Sequence, residues 1–191
     1  CVREFSQPAC VIVKHANPCG VAVSSSSLLE AFQKAQSTDP VSSFGGIIGF
    51  NRAVDAALAL AIAESFFEVI VAPSFSVEAL SALAKKKNLR LLVVEGLGEK
   101  TECGGLQVRS LAGGLLVQDR DVSLVLAKEG RVVTTREPTP AEWLALDFSW
   151  RVVKSVKSNA IVLATETYTL GIGAGQMSRV DSVKLAARKW Q

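Results

Sequence analysis

The chain has a single histidine, His15, and four cysteines, Cys1, Cys10, Cys19 and Cys103, with no Cys-x-x-Cys pair among them. One imidazole and four scattered thiols argue against both a zinc site and a disulfide framework, so no metal is expected and the thiols should be reduced. No apolar run approaches the roughly 18 uninterrupted residues that a membrane helix needs, and no membrane partner is expected. The sequence does not open with a basic region, an apolar stretch and a small-residue cleavage site, which leaves the cytoplasm as the expected compartment. A net charge of +3 is too small to signal a nucleic-acid groove, although it suits small phosphorylated or carboxylated ligands.

Apolar residues make up 49% of the 191, enough for the buried core of one domain or of one complete lobe. The chain starts without Met and stops inside a helical pattern at Trp190-Gln191, which predicts a fragment of a longer protein. Short β-rich runs at 10–13, 46–50, 67–72 and 89–95 alternate with helical patterns at 27–36, 54–65 and 77–87. That alternation predicts a layered α/β domain with a largely parallel sheet covered on both faces and functional loops at the strand ends. Residues 96–105 carry the least structure and mark a candidate subdomain junction, followed by β-like runs at 107–111 and 115–118. Thr139-Pro140-Ala141-Glu142 combines a capping Thr, Pro at the first helical position and Glu three residues after the cap, so a helix of about 17 residues should begin there. A strand pair at 159–165 and 169–173 and a last helix from about Ser178 complete the reading.

The run Lys14-His15-Ala16-Asn17-Pro18-Cys19-Gly20 sets the only histidine beside a lysine where an apolar segment gives way to Pro and Gly. Acid/base chemistry is commonly sited at such a boundary, and a nearby ammonium favours the neutral, proton-accepting imidazole. The plain alternative is a strand end with Lys14 solvated and His15 packed. Neighbouring strand residues face opposite ways, so the two can serve one substrate only if the backbone leaves the strand here. The following Asn17-Pro18 predicts that it does.

Pro18-Cys19 approaches the zinc-deaminase signature, but Ala22 stands where the second cysteine is needed and Asn17 where the acid is needed. A zinc deaminase is therefore excluded. The segment Asp39-Pro40-Val41-Ser42-Ser43-Phe44-Gly45-Gly46 offers paired glycines that let backbone approach a ligand, or serves only as a turn. Gly171-Ile172-Gly173-Ala174-Gly175-Gln176 ends in Gln where a dinucleotide fingerprint has Gly, and no βαβ unit follows it. Arg179, near the start of the last helix, is placed for a phosphate contact, whereas Lys85-Lys86-Lys87 reads as a solvated helix end.

Taken with Gly113-Gly114-Leu115-Leu116-Val117-Gln118-Asp119 and Lys157-Ser158-Asn159-Ala160-Ile161-Val162, these motifs occur in an order that resembles the transformylase domain of the bifunctional AICAR formyltransferase/IMP cyclohydrolase family of purine biosynthesis, in its bacterial form. AICAR is 5-aminoimidazole-4-carboxamide ribonucleotide. The resemblance covers nearly the whole chain and implies a layered α-β-α fold, similar to the cytidine deaminases but without zinc. It implies formyl transfer from 10-formyltetrahydrofolate to the 5-amino group of AICAR, with His15 as base, Lys14 as its electrostatic partner and Asn159 orienting substrate and histidine. By the same resemblance Phe44, Gly45, Glu68 and Arg179 contact the nucleotide, Asn17 supports them, a monovalent cation is allowed, and the parent protein is a homodimer. The cyclohydrolase domain and the C-terminal part of the transformylase domain, with its further folate contacts, are expected to lie outside residues 1–191. A rival reading from another class is a nucleotide-binding module without catalysis, in which Arg179 and the Gly45 loop hold a phosphate and His15 is structural.

Overall fold

A computed structural model describes residues 1–99, 104–123 and 125–190. In chain order the elements are β1 (Ala9–Lys14), β2 (Asn17–Val23), α1 (Leu28–Thr38), α2 (Pro40–Ser43), β3 (Gly46–Phe50), α3 (Ala56–Ala63), β4 (Phe67–Ala72), α4 (Val77–Leu83), β5 (Arg90–Val93), β6 (Leu106–Leu111), β7 (Gly114–Asp119), α5 (Pro140–Val153), β8 (Ile161–Ala164), β9 (Thr169–Gly173) and α6 (Arg179–Lys189). Five strands form one sheet in the order β2-β1-β3-β4-β5, and β6-β7 and β8-β9 are separate hairpins. The chain has the layered α/β architecture that the alternation predicts.

The sheet is mixed, not largely parallel. β1 runs antiparallel to both β2 and β3, while β3, β4 and β5 are parallel to one another. The cause is a strand absent from the sequence reading: residues 17–23, expected as loop, form β2. Pro and Gly mask it, yet β2 is the first strand in the sheet order, where a proline is tolerated. Gly20 is required by packing, since a Cβ there would lie 1.9 Å from the Ala35 carbonyl oxygen of α1.

Alternation along β1 sends Cys10 and Ile12 into a core shared with Phe32 of α1, Leu58 and Ile62 of α3 and Leu83 of α4. Ala9 and Val11 point the other way, against Phe148 and Val152 of α5 and Ile172 of β9. Burial on both faces thus holds over β1 and β2.

Caps fix the helix starts. Ser27 accepts from Glu30 N, Asp55 from Leu58 N and Thr139 from Glu142 N, each satisfying one of the orphan donors of a first turn. At α5 both halves of the capping box are made, and the helix runs 14 residues, not the expected 17. At α1 only half forms, because the Glu30 carboxylate turns to Ser24 and Lys34 instead of the Ser27 amide. Part of the expected junction at 96–105, residues 100–103, lies outside the described residues.

Candidate active site

His15 and Ala16 are the two central residues of the β1–β2 turn, flanked by the Lys14–Asn17 pair. Their φ angles are +49° and +65°, the left-handed values that a two-residue hairpin turn of the primed kind demands. L-residues there carry roughly 1–2 kcal/mol of strain each. The strain lifts His15 off the strand and into solvent, resolving the opposed directions that regular pleating would impose on it and Lys14.

Lys14 reaches the loop after α2. Its Nζ donates to the Phe44 carbonyl at 2.8 Å and to the Gly45 carbonyl at 3.0 Å. An ammonium has three N–H groups, so one remains for an acceptor that arrives from outside, such as a developing oxyanion. Gly45 has φ +66°, where a side chain would be strained and its Cβ would sit 3.1 Å from Lys14 Nζ. Its own N–H donates to Phe66 O at 2.8 Å, and the rings of Phe44 and Phe66 lie 5.2 Å apart, both exposed. The sequence reading missed Phe66. Glu68 is exposed two residues further on, at the shift in register where Gly46 pairs with Phe67 and Ile47 with Val69.

The remaining candidates arrive from the far end of the chain. Asn17 Oδ1 accepts from Lys157 N at 3.0 Å, tying the histidine turn to the 157–159 loop. Asn159 Nδ2 donates to the carbonyls of Gln176 and Met177, both at 2.9 Å, and Ser182 Oγ donates to Asn159 O at 2.8 Å. The Asn159 amide donors are thus directed to the loop before α6 and not to His15. Arg179 follows as the first residue of α6, exposed.

Asp39 and Cys19, between these halves, entered the sequence motifs without a role of their own. Asp39 caps α2 by accepting from Ser42 N at 2.9 Å and forms an ion pair with Lys189 in the last turn of α6. Burial pushes the Asp39 carboxyl upward, but hydrogen bonds from Lys189 and Ser42 outweigh it and hold the group below its ordinary range. Asp39 before Pro40 is a helix-start signature that could have been read; its partner 150 residues away could not. The Cys19 thiol is pushed up to about 11, by burial first and then by Asp39, which leaves it protonated and a poor nucleophile near neutral pH.

The site therefore gathers around the end of β1 and the starts of β2, β3 and β4. Lys14, Phe44 and Gly45 are in direct contact, His15 stands beside them, and Asn17 links them to the loop that carries Asn159. Among the described residues no helix is long and apolar enough to cross a membrane, and no three His, Cys, Asp or Glu side chains converge as a metal site.

The chain is similar to known proteins over its whole length. The family model described as AICARFT/IMPCHase bienzyme matches residues 1–189. The bifunctional purine biosynthesis protein PurH of Magnetococcus marinus is 55% identical over 190 residues, which cover 100% of this chain and 36% of that protein. The chain thus spans about a third of the length of that relative.

Proposed function

Because the chain belongs to the AICARFT/IMPCHase bienzyme family, we propose that residues 1–191 are part of the AICAR formyltransferase domain and supply the Lys14–His15 portion of its active site. The observation that carries this reading is the Lys14 ammonium gripped by the Phe44 and Gly45 carbonyls, one residue from an exposed imidazole.

The 5-amino group of AICAR is a weak nucleophile because its lone pair is delocalised toward the carboxamide. His15 takes a proton from that amine as its nitrogen attacks the formyl carbon of 10-formyltetrahydrofolate. The carbonyl oxygen gains charge and meets the third N–H of Lys14. Collapse breaks the bond from the formyl carbon to N10, and the proton held by His15 passes to N10, giving the formamido nucleotide and tetrahydrofolate. Phe44, Gly45, Glu68 and Arg179 contact the nucleotide, and Asn17 and Asn159 set the loop beside it. On this reading the full-length protein is a cytosolic homodimer, and residues beyond this chain complete the folate pocket.

The test is tetrahydrofolate release from 10-formyltetrahydrofolate, with and without AICAR, in this chain and in a full-length version. AICAR-dependent release from either supports the reading and locates the sufficient set of residues. AICAR binding without release from both overturns it in favour of a non-catalytic nucleotide-binding module.

A further inference from the structure

Helix α6 touches the site at both ends. At its N-terminus Ser182 holds the Asn159 carbonyl and Arg179 stands exposed. At its C-terminus, 10 residues or about 15 Å along the axis from Arg179, Lys189 grips Asp39 and Ser42, the latter at 3.3 Å. A Cβ on Gly171 would lie 2.0 Å from Ala186 O, and one on Gly173 would lie 1.9 Å from Ser182 O, so α6 rests on the backbone of β9. β9 is in turn tied by Thr169 to the main sheet, through Oγ1 accepting from Val21 N of β2 at 2.9 Å, and to the end of α1, through its carbonyl accepting from Thr38 Oγ1 at 2.6 Å.

What Lys189 holds leads directly to Lys14. Asp39 caps α2, whose four residues end at Ser43, immediately before Phe44, and the Phe44 and Gly45 carbonyls are the two acceptors that aim the Lys14 ammonium. The Asp39 side chain is only 8% exposed and that of Lys189 29%, so the attraction acts with little screening by water. We propose that Lys189 is a positioning residue: through Asp39 it fixes the Phe44–Gly45 loop, and with it the third donor of Lys14, relative to the Asn159–Arg179 half of the site. This deepens the formyltransferase reading and, for its effect on turnover, rests on it.

The first arm of the test does not depend on that reading. Backbone amide exchange is measured in this chain and in Lys189→Met, Lys189→Arg and Asp39→Asn. Lys189→Met and Asp39→Asn should speed exchange at Ser42 and Gly45 by tenfold or more while Ile48, in β3, keeps its native rate, and Lys189→Arg should restore slow exchange. No change at Gly45, or a rise equal at Gly45 and Ile48, overturns the proposal, because the pair would then have no local effect or only a global one. The second arm is turnover in the full-length protein, where Lys189→Met should lower kcat by tenfold or more with a smaller change in the KM for AICAR, and Lys189→Arg should recover most of it. An unaltered kcat with a loosened loop overturns the link to Lys14. Absence of any AICAR-dependent turnover in the unmodified full-length protein overturns the formyltransferase reading and leaves the exchange result to decide the positioning role.

Discussion

The molecule contains two hairpins of nearly the same design, β1–β2 and β6–β7. Each pairs strands of six or seven residues across a two-residue turn, His15-Ala16 in one and Ala112-Gly113 in the other. They differ in everything that tertiary structure adds. β2 is buried along six of its seven residues, whereas every residue of β7 is exposed. In the first turn two non-glycine residues hold positive φ; in the second the positive angle, +84°, falls on a glycine. A relaxed turn can be built locally by Gly113, but a strained one must be held by its surroundings. The surroundings of His15 are the sheet, Asn17 bound to Lys157, and Lys14 bound to the Phe44–Gly45 carbonyls.

The largest contrast should appear in catalysis. His15→Ala in the full-length protein should lower formyl transfer by about 10²–10⁴-fold with nucleotide affinity little altered. Ala112→Ser at the matching position of the exposed hairpin should leave the rate as it is. Equal rates for both variants would remove His15 from the reaction.

Packing comes next. Gly20→Ala forces a Cβ against the Ala35 carbonyl and should lose about 2–3 kcal/mol of stability. Gly114→Ala meets nothing within 4 Å and should change stability by less than about 0.5 kcal/mol. Chemical denaturation of the two variants sharpens the comparison if the midpoints separate and breaks it if they coincide.

The turns should respond in opposite senses. Ala16→Gly relieves a left-handed L-residue and should stabilise by up to about 1 kcal/mol, while Gly113→Ala creates one and should destabilise by a similar amount. Thermal melts of both give the signs directly.

The smallest effect is on acid stability. The Asp39 carboxyl is held below its ordinary range in the fold, so its contribution is complete above the ordinary carboxylate pKa and is lost as pH falls through the lowered value. The stability gap between the native chain and Asp39→Asn should therefore be widest near neutral pH and narrow on strong acidification. A gap that stays constant down to pH 2 would exclude the ion pair as its source.

How far the sequence could be read follows from the range of the forces involved. Helix α5 was legible because Thr139, Pro140 and Glu142 act within one turn, and the strands β3 and β4 because each carries a short β-branched run, Ile47-Ile48 and Val69-Ile70-Val71. β2 was illegible because Asn17, Pro18 and Gly20 look like a turn until α1 is seen lying on Gly20. The Lys14–His15 pair stood out through scarcity, there being one histidine in the chain. The ties from Asn17 to Lys157, Asp39 to Lys189 and Val21 to Thr169 each span 140 residues or more, and no local pattern announces them. The direction of the Asn159 amide, toward Gln176 and Met177, is likewise decided by a loop that folds back from outside its own segment.

Gly20, Gly171 and Gly173 place helix backbone directly on strand backbone. A contact of that kind has no intervening layer of side chains whose rotamers could absorb an error, so the spacing between helix and strand behaves as a fixed length. Substitutions elsewhere in the two cores can be accommodated by neighbours that repack. At these three positions they would be transmitted undiminished along α1 and α6, and the site would register a change at a glycine that touches none of its residues.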